Sequence, residues 1–419
     1  MKFNTIIIGG GLTGLTAGIT LAGNGQRVAI LATGQSRLHF TSGSLELLGY
    51  NPDGTVVESP LDECENLRQQ HPYKLIGTQH LPQLAAEAQE LLTAAGIKVN
   101  GDAATNHYRI SPIGIPKPAW LTLNDYITAD IHMKFPFRKA LLVNIAGYID
   151  FPISFLRHNL GKAGAACNVA EVSTPALETL RTSQTEMRAT NIARILADQK
   201  AIDQLSVEIN RAISGEDAIL FPAVFGIADD KNLQYLRRMV TRPLHCISTL
   251  PPAVTGVRIQ TRLRKRFLSL GGTFMLGSTV RNAVINHGRI TSVTASNLPD
   301  QRLSADNFIL ATGSFMGNGL VATQNSIVEP IMNLDVNALP EREEWTSQQL
   351  NDRQPYMEFG VKTDTNLHPA INGATVQNLW AAGAVLSGHN PISLADSTGV
   401  DMITALRAAH DIINYKEHP

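Results

Sequence analysis

The stretch Thr5-Ile6-Ile7-Ile8-Gly9-Gly10-Gly11-Leu12-Thr13-Gly14 decides how the rest of the chain is read. Residues 3–8 are mostly apolar and β-branched, the pattern of a parallel strand buried on both faces. Gly9, Gly11 and Gly14 then form G-x-G-x-x-G, followed by helix-forming residues from Leu12 to Ala22 and a second apolar run from Arg27 to Leu31. Strand, glycine turn, helix and strand within about 30 residues are the context this motif requires.

The chemistry of such a turn belongs to the main chain. Gly9 permits the tight turn, and Gly10 lies within it. Gly11 lets the backbone approach a phosphate with no Cβ in the way. Gly14 lets the helix sit close to the sheet. The first N–H groups of the helix, with that of Thr13 among them, then face an anion at the positive end of the helix dipole. The competing reading is a packing turn without a ligand. An Asp or Glu usually ends the second strand of such a unit and holds an adenosine ribose. Here Ala32 and Thr33 stand there, and only Thr33 offers a hydrogen bond.

The surrounding composition narrows the function classes. The 419 residues are 43% hydrophobic and 17% charged, with a net charge of −1, so no bulk field draws nucleic acid or an anionic membrane. Cys64, Cys167 and Cys246 are far apart and form no C-x-x-C pair, which argues against a disulfide framework, an iron–sulfur cluster or a structural zinc. Asp229-Asp230 reads as a turn or helix cap, so no metal site is expected. Redox chemistry would need an organic cofactor. No run approaches the roughly 20 apolar residues of a membrane span, so membrane attachment is expected through a partner.

Further along, periodicity predicts helices over 84–95, 187–198, 201–213, 257–270 and 399–415. Strands are predicted over 139–145, 218–221, 244–247, 273–276, 280–286, 289–295, 307–310 and 378–382. The expected organisation is a discontinuous nucleotide-binding domain, residues 1–100 and 245–419, carrying an inserted substrate or interface domain, 101–244.

Two late segments resemble the two-dinucleotide-binding-domain flavoproteins: Ala311-Thr312-Gly313, and Leu379-Trp-Ala-Ala-Gly383-Ala384. The second normally ends Gly-Asp, with the Asp on the flavin ribityl chain; here it ends in Ala384. The last helix follows Asp396-Ser397-Thr398-Gly399, any of whose first three residues can cap it. In those flavoproteins this helix end points at the flavin ring.

Taken with Gly34-Gln-Ser-Arg-Leu-His-Phe-Thr41-Ser42-Gly43-Ser44, Glu186–Arg194, Phe221–Asp230 and Thr249–Arg258, these segments resemble the B-subunit family of anaerobic glycerol-3-phosphate dehydrogenase over nearly the whole length. The resemblance implies an α/β, Rossmann-like two-dinucleotide-binding-domain flavoprotein fold with an inserted α+β domain. It implies FMN as cofactor, with FAD the alternative. It also implies two partners: an FAD-containing catalytic subunit that oxidises glycerol 3-phosphate, and an iron–sulfur, membrane-anchoring subunit that passes electrons to quinone. The chain would then be cytoplasmic and peripheral to the inner membrane.

The candidate cofactor-binding residues are Gly9, Gly10, Gly11, Thr13, Gly14, Thr33, Ser42, Gly43, Ser44, Thr312, Gly313, Gly383, Thr398 and Gly399. His39 is a candidate proton donor or cation near the flavin. No catalytic residue is assigned. Arg258, Arg262, Arg264, Lys265 and Arg266 read as a solvated helix face, with a docking patch as the alternative. Two other functions stay open: a flavin-free scaffold within the same complex, and a stand-alone flavin oxidoreductase acting on a small carboxylate.

Overall fold

The computed structural model describes residues 2–183 and 185–415, so Met1 and the last four residues of the expected 245–419 segment lie outside it. Two compact units are present. The first comprises residues 1–37, 46–96 and 263–419, and the second 38–45 and 97–262.

The first unit is built on the opening strand β1 (Lys2–Ile8), helix α1 (Leu12–Gly23) and strand β2 (Val28–Ala32). Two helices follow, α2 (Pro72–Ile76) and α3 (Leu81–Ala94). Helix α4 (Val254–Ser269), which belongs to this unit only from Leu263 on, leads into β3 (Thr273–Leu276), β4 (Val280–Asn286), β5 (Arg289–Ala295) and β6 (Leu298–Leu310). Strand β7 (Leu379–Ala381) and the final helix α5 (Ser397–Tyr415) complete it.

The order β3-β2-β1-β6-β7 is parallel throughout, and its register is regular: Ile6 lies opposite Ala29 on one side and Phe308 on the other. This is a Rossmann-like α/β sheet. Strand β6 exceeds the predicted 307–310 because it serves two sheets. Its second half pairs with β1, and its first half turns antiparallel to β5, which continues to β4. Polar residues such as Asp300, Gln301 and Arg302 hide that first half from an apolar count.

Ile6, Ile7, Ile30, Leu15, Phe308 and Ile309 are fully buried, each worth about 1.5–3 kcal/mol of transfer free energy. Gly18 makes the close helix–sheet approach possible, since a Cβ there would lie 2.8 Å from Ile30 and 3.1 Å from the Phe267 ring.

The second unit holds a four-stranded parallel sheet ordered Ala166–Val172, Lys139–Ile145, Ala218–Pro222, Leu244–Ile247. Its boundaries depart from the expected 101–244 for physical reasons. Leu244–Ile247 pairs with Ala218–Pro222, which draws the segment after residue 244 into this unit. The Tyr126 hydroxyl donates to the Ser42 carbonyl, as does the Thr255 hydroxyl at 3.2 Å, and these bonds hold residues 38–45 there as well. The basic helix is corrected likewise. Arg258 is not solvated: it is 5% exposed and bonds Asp125 at 2.5 Å. Asp229 and Asp230 behave as expected of a turn, with Asp229 accepting the Lys231 N–H at 3.1 Å and Asp230 pairing with Lys98.

Candidate functional site

The glycine turn is set by contacts that only hydrogen tolerates. Gly9 has φ +123°, and a Cβ there would lie 2.0 Å from the Ala311 carbonyl oxygen. A Cβ on Gly14 would lie 1.9 Å from the Gly9 oxygen. Gly10 rests on Ala32 and the Phe274 ring, at 2.6 and 2.8 Å from its would-be Cβ. Gly11 differs from these three. Its Cβ would meet nothing nearer than the Ser36 Cβ at 3.9 Å.

Gly11 caps α1 without any side-chain hydrogen bond. The first N–H groups of a helix have no partner within it, and among the described residues nothing accepts from Leu12 or Thr13 N–H. Open approach at Gly11 and unpaired amides beyond it together make a cradle for a phosphate.

Three other segments converge on this helix start. Thr312 and Gly313 follow β6 beside Gly9, with Gly313 at φ +80° and the Thr312 hydroxyl buried without a partner. Gly383, at φ +75°, leaves no room for a side chain, because a Cβ would lie 2.1 Å from the Thr13 hydroxyl. The start of α5 supplies Asp401, which is 6% exposed. Its Oδ1 accepts the Thr13 hydroxyl at 2.8 Å and the Ala384 N–H at 3.1 Å. Its Oδ2 lies 3.5 Å from the Arg37 guanidinium, which offsets the carboxylate beside the cradle. Sequence reading missed both residues. The position where the flavoproteins place an Asp is Ala384, and the carboxylate bonded to its N–H comes from α5 instead.

The remaining candidates are distributed differently. Thr33 is exposed just past β2. Thr398 and Gly399 are engaged with Glu46: the Gly399 N–H donates to its carbonyl at 2.7 Å, and the Thr398 hydroxyl accepts its N–H at 2.6 Å. Ser42, Gly43 and Ser44 belong to the second unit. There the two serine hydroxyls bond each other at 2.8 Å, and Gly43 takes φ +85° against Thr255 and Leu123. His39 lies in the same unit, and burial lowers its pKa.

Behind the start of α5 lies a second polar cluster that sequence reading also missed. Asp396, fully buried, bonds His71 Nε2 at 3.0 Å and His389 Nδ1 at 3.3 Å. Burial would raise its pKa, but His389 and His71 hold it well below the usual carboxylate range. Ala395, just before it, takes φ +48°, a costly conformation for a residue with a Cβ.

The residues at α1 fit the phosphate of a flavin. Nothing at Thr33 replaces the usual ribose carboxylate, so the fit is to the phosphate end rather than to an adenosine.

The FAD binding domain family matches residues 4–400. The chain is 40% identical over 418 residues to the B-subunit of anaerobic glycerol-3-phosphate dehydrogenase from Yersinia pestis, covering 99% of both chains. It is 35% identical over 424 residues to the protein of that name from Vibrio cholerae, covering 99% of this chain and 97% of the other. Among solved structures, Mycobacterium smegmatis Sdh1 in complex with UQ1 is 10% identical, with a TM-score of 0.44 over 100% of this chain and 69% of that one. No helix among the described residues is long and apolar enough to cross a membrane. A flavoprotein-type sheet, a glycine cradle open to a phosphate and near-full-length similarity place this chain in the B-subunit family of anaerobic glycerol-3-phosphate dehydrogenase, as a flavin oxidoreductase component of a complex of several subunits.

Proposed function

We propose that this chain binds FMN at the start of α1 and relays electrons within a glycerol-3-phosphate dehydrogenase complex. In this reading an FAD-containing catalytic partner oxidises glycerol 3-phosphate to dihydroxyacetone phosphate. Electrons pass through the present subunit to an iron–sulfur partner, which anchors the assembly at the inner membrane and delivers them to quinone. A bound flavin exchanges electrons in single or paired steps. The chain's own residues do the rest. The amides of Leu12 and Thr13 hold the phosphate, Gly11 gives it room, and Asp401 fixes Thr13 and Ala384 around it.

The observation that carries the reading is the open backbone at Gly11, beside amides with no acceptor of their own. FMN is favoured over FAD because Ala32 and Thr33 offer no carboxylate to an adenosine ribose. The test is extraction of the cofactor from the complex co-expressed with the catalytic and iron–sulfur partners. The expected result is FMN and FAD in equal amounts. FAD alone, in the amount the catalytic partner accounts for, would contradict it.

One observation favours a flavin-free scaffold instead: the N–H of Gly399, at the start of α5, is taken by the Glu46 carbonyl. The isolated chain distinguishes the two readings, since a scaffold is colourless and still binds its partners.

A further inference from the structure

The second unit contains a cavity of about 400 Å³, and every residue around it lies within 97–262. Three segments supply its walls. Asn124, Tyr126 and Ile127 come from one, Leu244 and His245 from the edge strand of the parallel sheet, and Arg237 from the helix Lys231–Met239. Tyr126, Ile127 and Leu244 are buried and make part of the wall apolar.

Arg237 is fixed in place by uncharged groups. Its Nε donates to the Leu244 carbonyl at 2.9 Å, and its Nη2 to the carbonyls of Asn124 at 3.1 Å and Asp125 at 3.0 Å. Carbonyls orient a guanidinium without neutralising it. No carboxylate among the described residues pairs with Arg237, and no Asp or Glu lines the cavity. The Asp125 side chain is committed to Arg258 at 2.5 Å. Nη1 has no acceptor among the described residues. An anion placed there gains charge-assisted bonds and costs little side-chain freedom, because the arginine is already held.

Two neutral groups stand beside it with bonding capacity unused. The Asn124 amide makes no hydrogen bond among the described residues, and its Oδ1 is buried. The His245 ring, half-buried, is likewise unbonded. Burial and the nearby Arg237 charge lower its pKa, so at neutral pH it is an uncharged imidazole with one donor and one acceptor.

The position sets this cavity apart from a catalytic crevice. In parallel α/β sheets the principal ligand crevice lies beyond the carboxyl ends of the strands. Here the first two residues of Leu244–Ile247 line the space, so it lies at the amino end of that strand. Its volume falls in the range of small-molecule sites and is more than an inorganic ion fills.

We propose that this cavity is a binding site for a small organic anion. The phosphate or carboxylate sits on Arg237 Nη1, a hydroxyl or amide of the ligand bonds Asn124 and His245, and the ligand body rests on Tyr126 and Leu244. The ligand is bound and not transformed. The inference stands independently of the flavin reading.

The test is calorimetric titration of the purified full-length chain with glycerol 3-phosphate, adenosine 5′-monophosphate, fumarate and inorganic phosphate, with glycerol and adenosine as neutral controls. At least one organic anion is expected to bind with Kd below about 1 mM, its neutral counterpart at least about tenfold more weakly. Arg237→Gln is expected to abolish binding, but it also gives up three carbonyl bonds. Asn124→Ala and His245→Ala break no hydrogen bond, and each is expected to weaken binding about tenfold with the unfolding midpoint nearly unchanged. Gly11→Ala, in the other unit, is expected to leave it intact. Whether a phosphate or a carboxylate binds identifies the head group. Inorganic phosphate binding as tightly as every organic anion overturns the proposal, as does failure of all of them to bind. Binding lost in Gly11→Ala and kept in Asn124→Ala and His245→Ala belongs to the α1 cradle and overturns it too.

Discussion

Four glycines at the turn separate folding from binding. A Cβ at Gly14 would collide with a backbone oxygen at 1.9 Å, whereas one at Gly11 meets nothing nearer than 3.9 Å. Gly14→Ala is therefore expected to destabilise the first unit by several kcal/mol, in the range of core overpacking or more. Gly11→Ala, with φ −81° already suited to alanine, is expected to leave the unfolding midpoint nearly unchanged while lowering flavin content at least tenfold. Urea unfolding and the flavin-to-protein absorbance ratio read the two effects separately. Loss of flavin without loss of stability is the signature of a cradle; parallel losses would mean a packing turn. The positions of these glycines were legible in the sequence because the motif is local. Their different tolerances were not, since each depends on which residue the fold brings opposite.

At the level of elements, the start of α5 ties the first unit together. Asp401 serves Thr13 on α1 and Ala384 after β7. Asp401→Ala leaves two buried donors without an acceptor, each at a cost of about 1–3 kcal/mol, and chemical denaturation of the variant is expected to show a loss in that range. His71 links the pH dependence of stability to the other side of the same helix start. Burial lowers its folded-state pKa, so the unfolded chain binds a proton that the folded one refuses. Its contribution is therefore complete above the unfolded value of about 6.5 and shrinks as pH falls below that. The slope of unfolding free energy between about pH 5 and 6.5 is expected to be shallower in His71→Gln than in the wild type; equal slopes would remove His71 from the account. Helix α5 and the strands over 139–145, 244–247 and 289–295 were readable from apolar periodicity and flanking glycines. The helix Ile153–Lys162 was not, because Phe155, 62% exposed, breaks the apolar stripe and Gly161 blurs the end. His71, Asp396 and His389 were unreadable as a group, because His71 stands 325 residues before Asp396 in the sequence while the chain fold makes it a neighbour of that residue and of His389.

For the whole molecule, the class of fold followed from the first 30 residues, whereas the division into units depended on pairings between distant strands. The functional reading assigns this chain a place between an oxidising partner and a membrane-anchoring one. Co-expressed with both, it is expected to sediment with membranes, and omission of the iron–sulfur partner is expected to return it to the supernatant. Sedimentation unaffected by that omission would argue for direct attachment. The most direct measurement of the central claim is an experimental density map of the purified complex around the start of α1. The account requires a flavin phosphate within hydrogen-bonding distance, about 2.7–3.2 Å, of the Leu12 and Thr13 amides. A map in which water or side chains fill that space, with no anion against those amides, would contradict it.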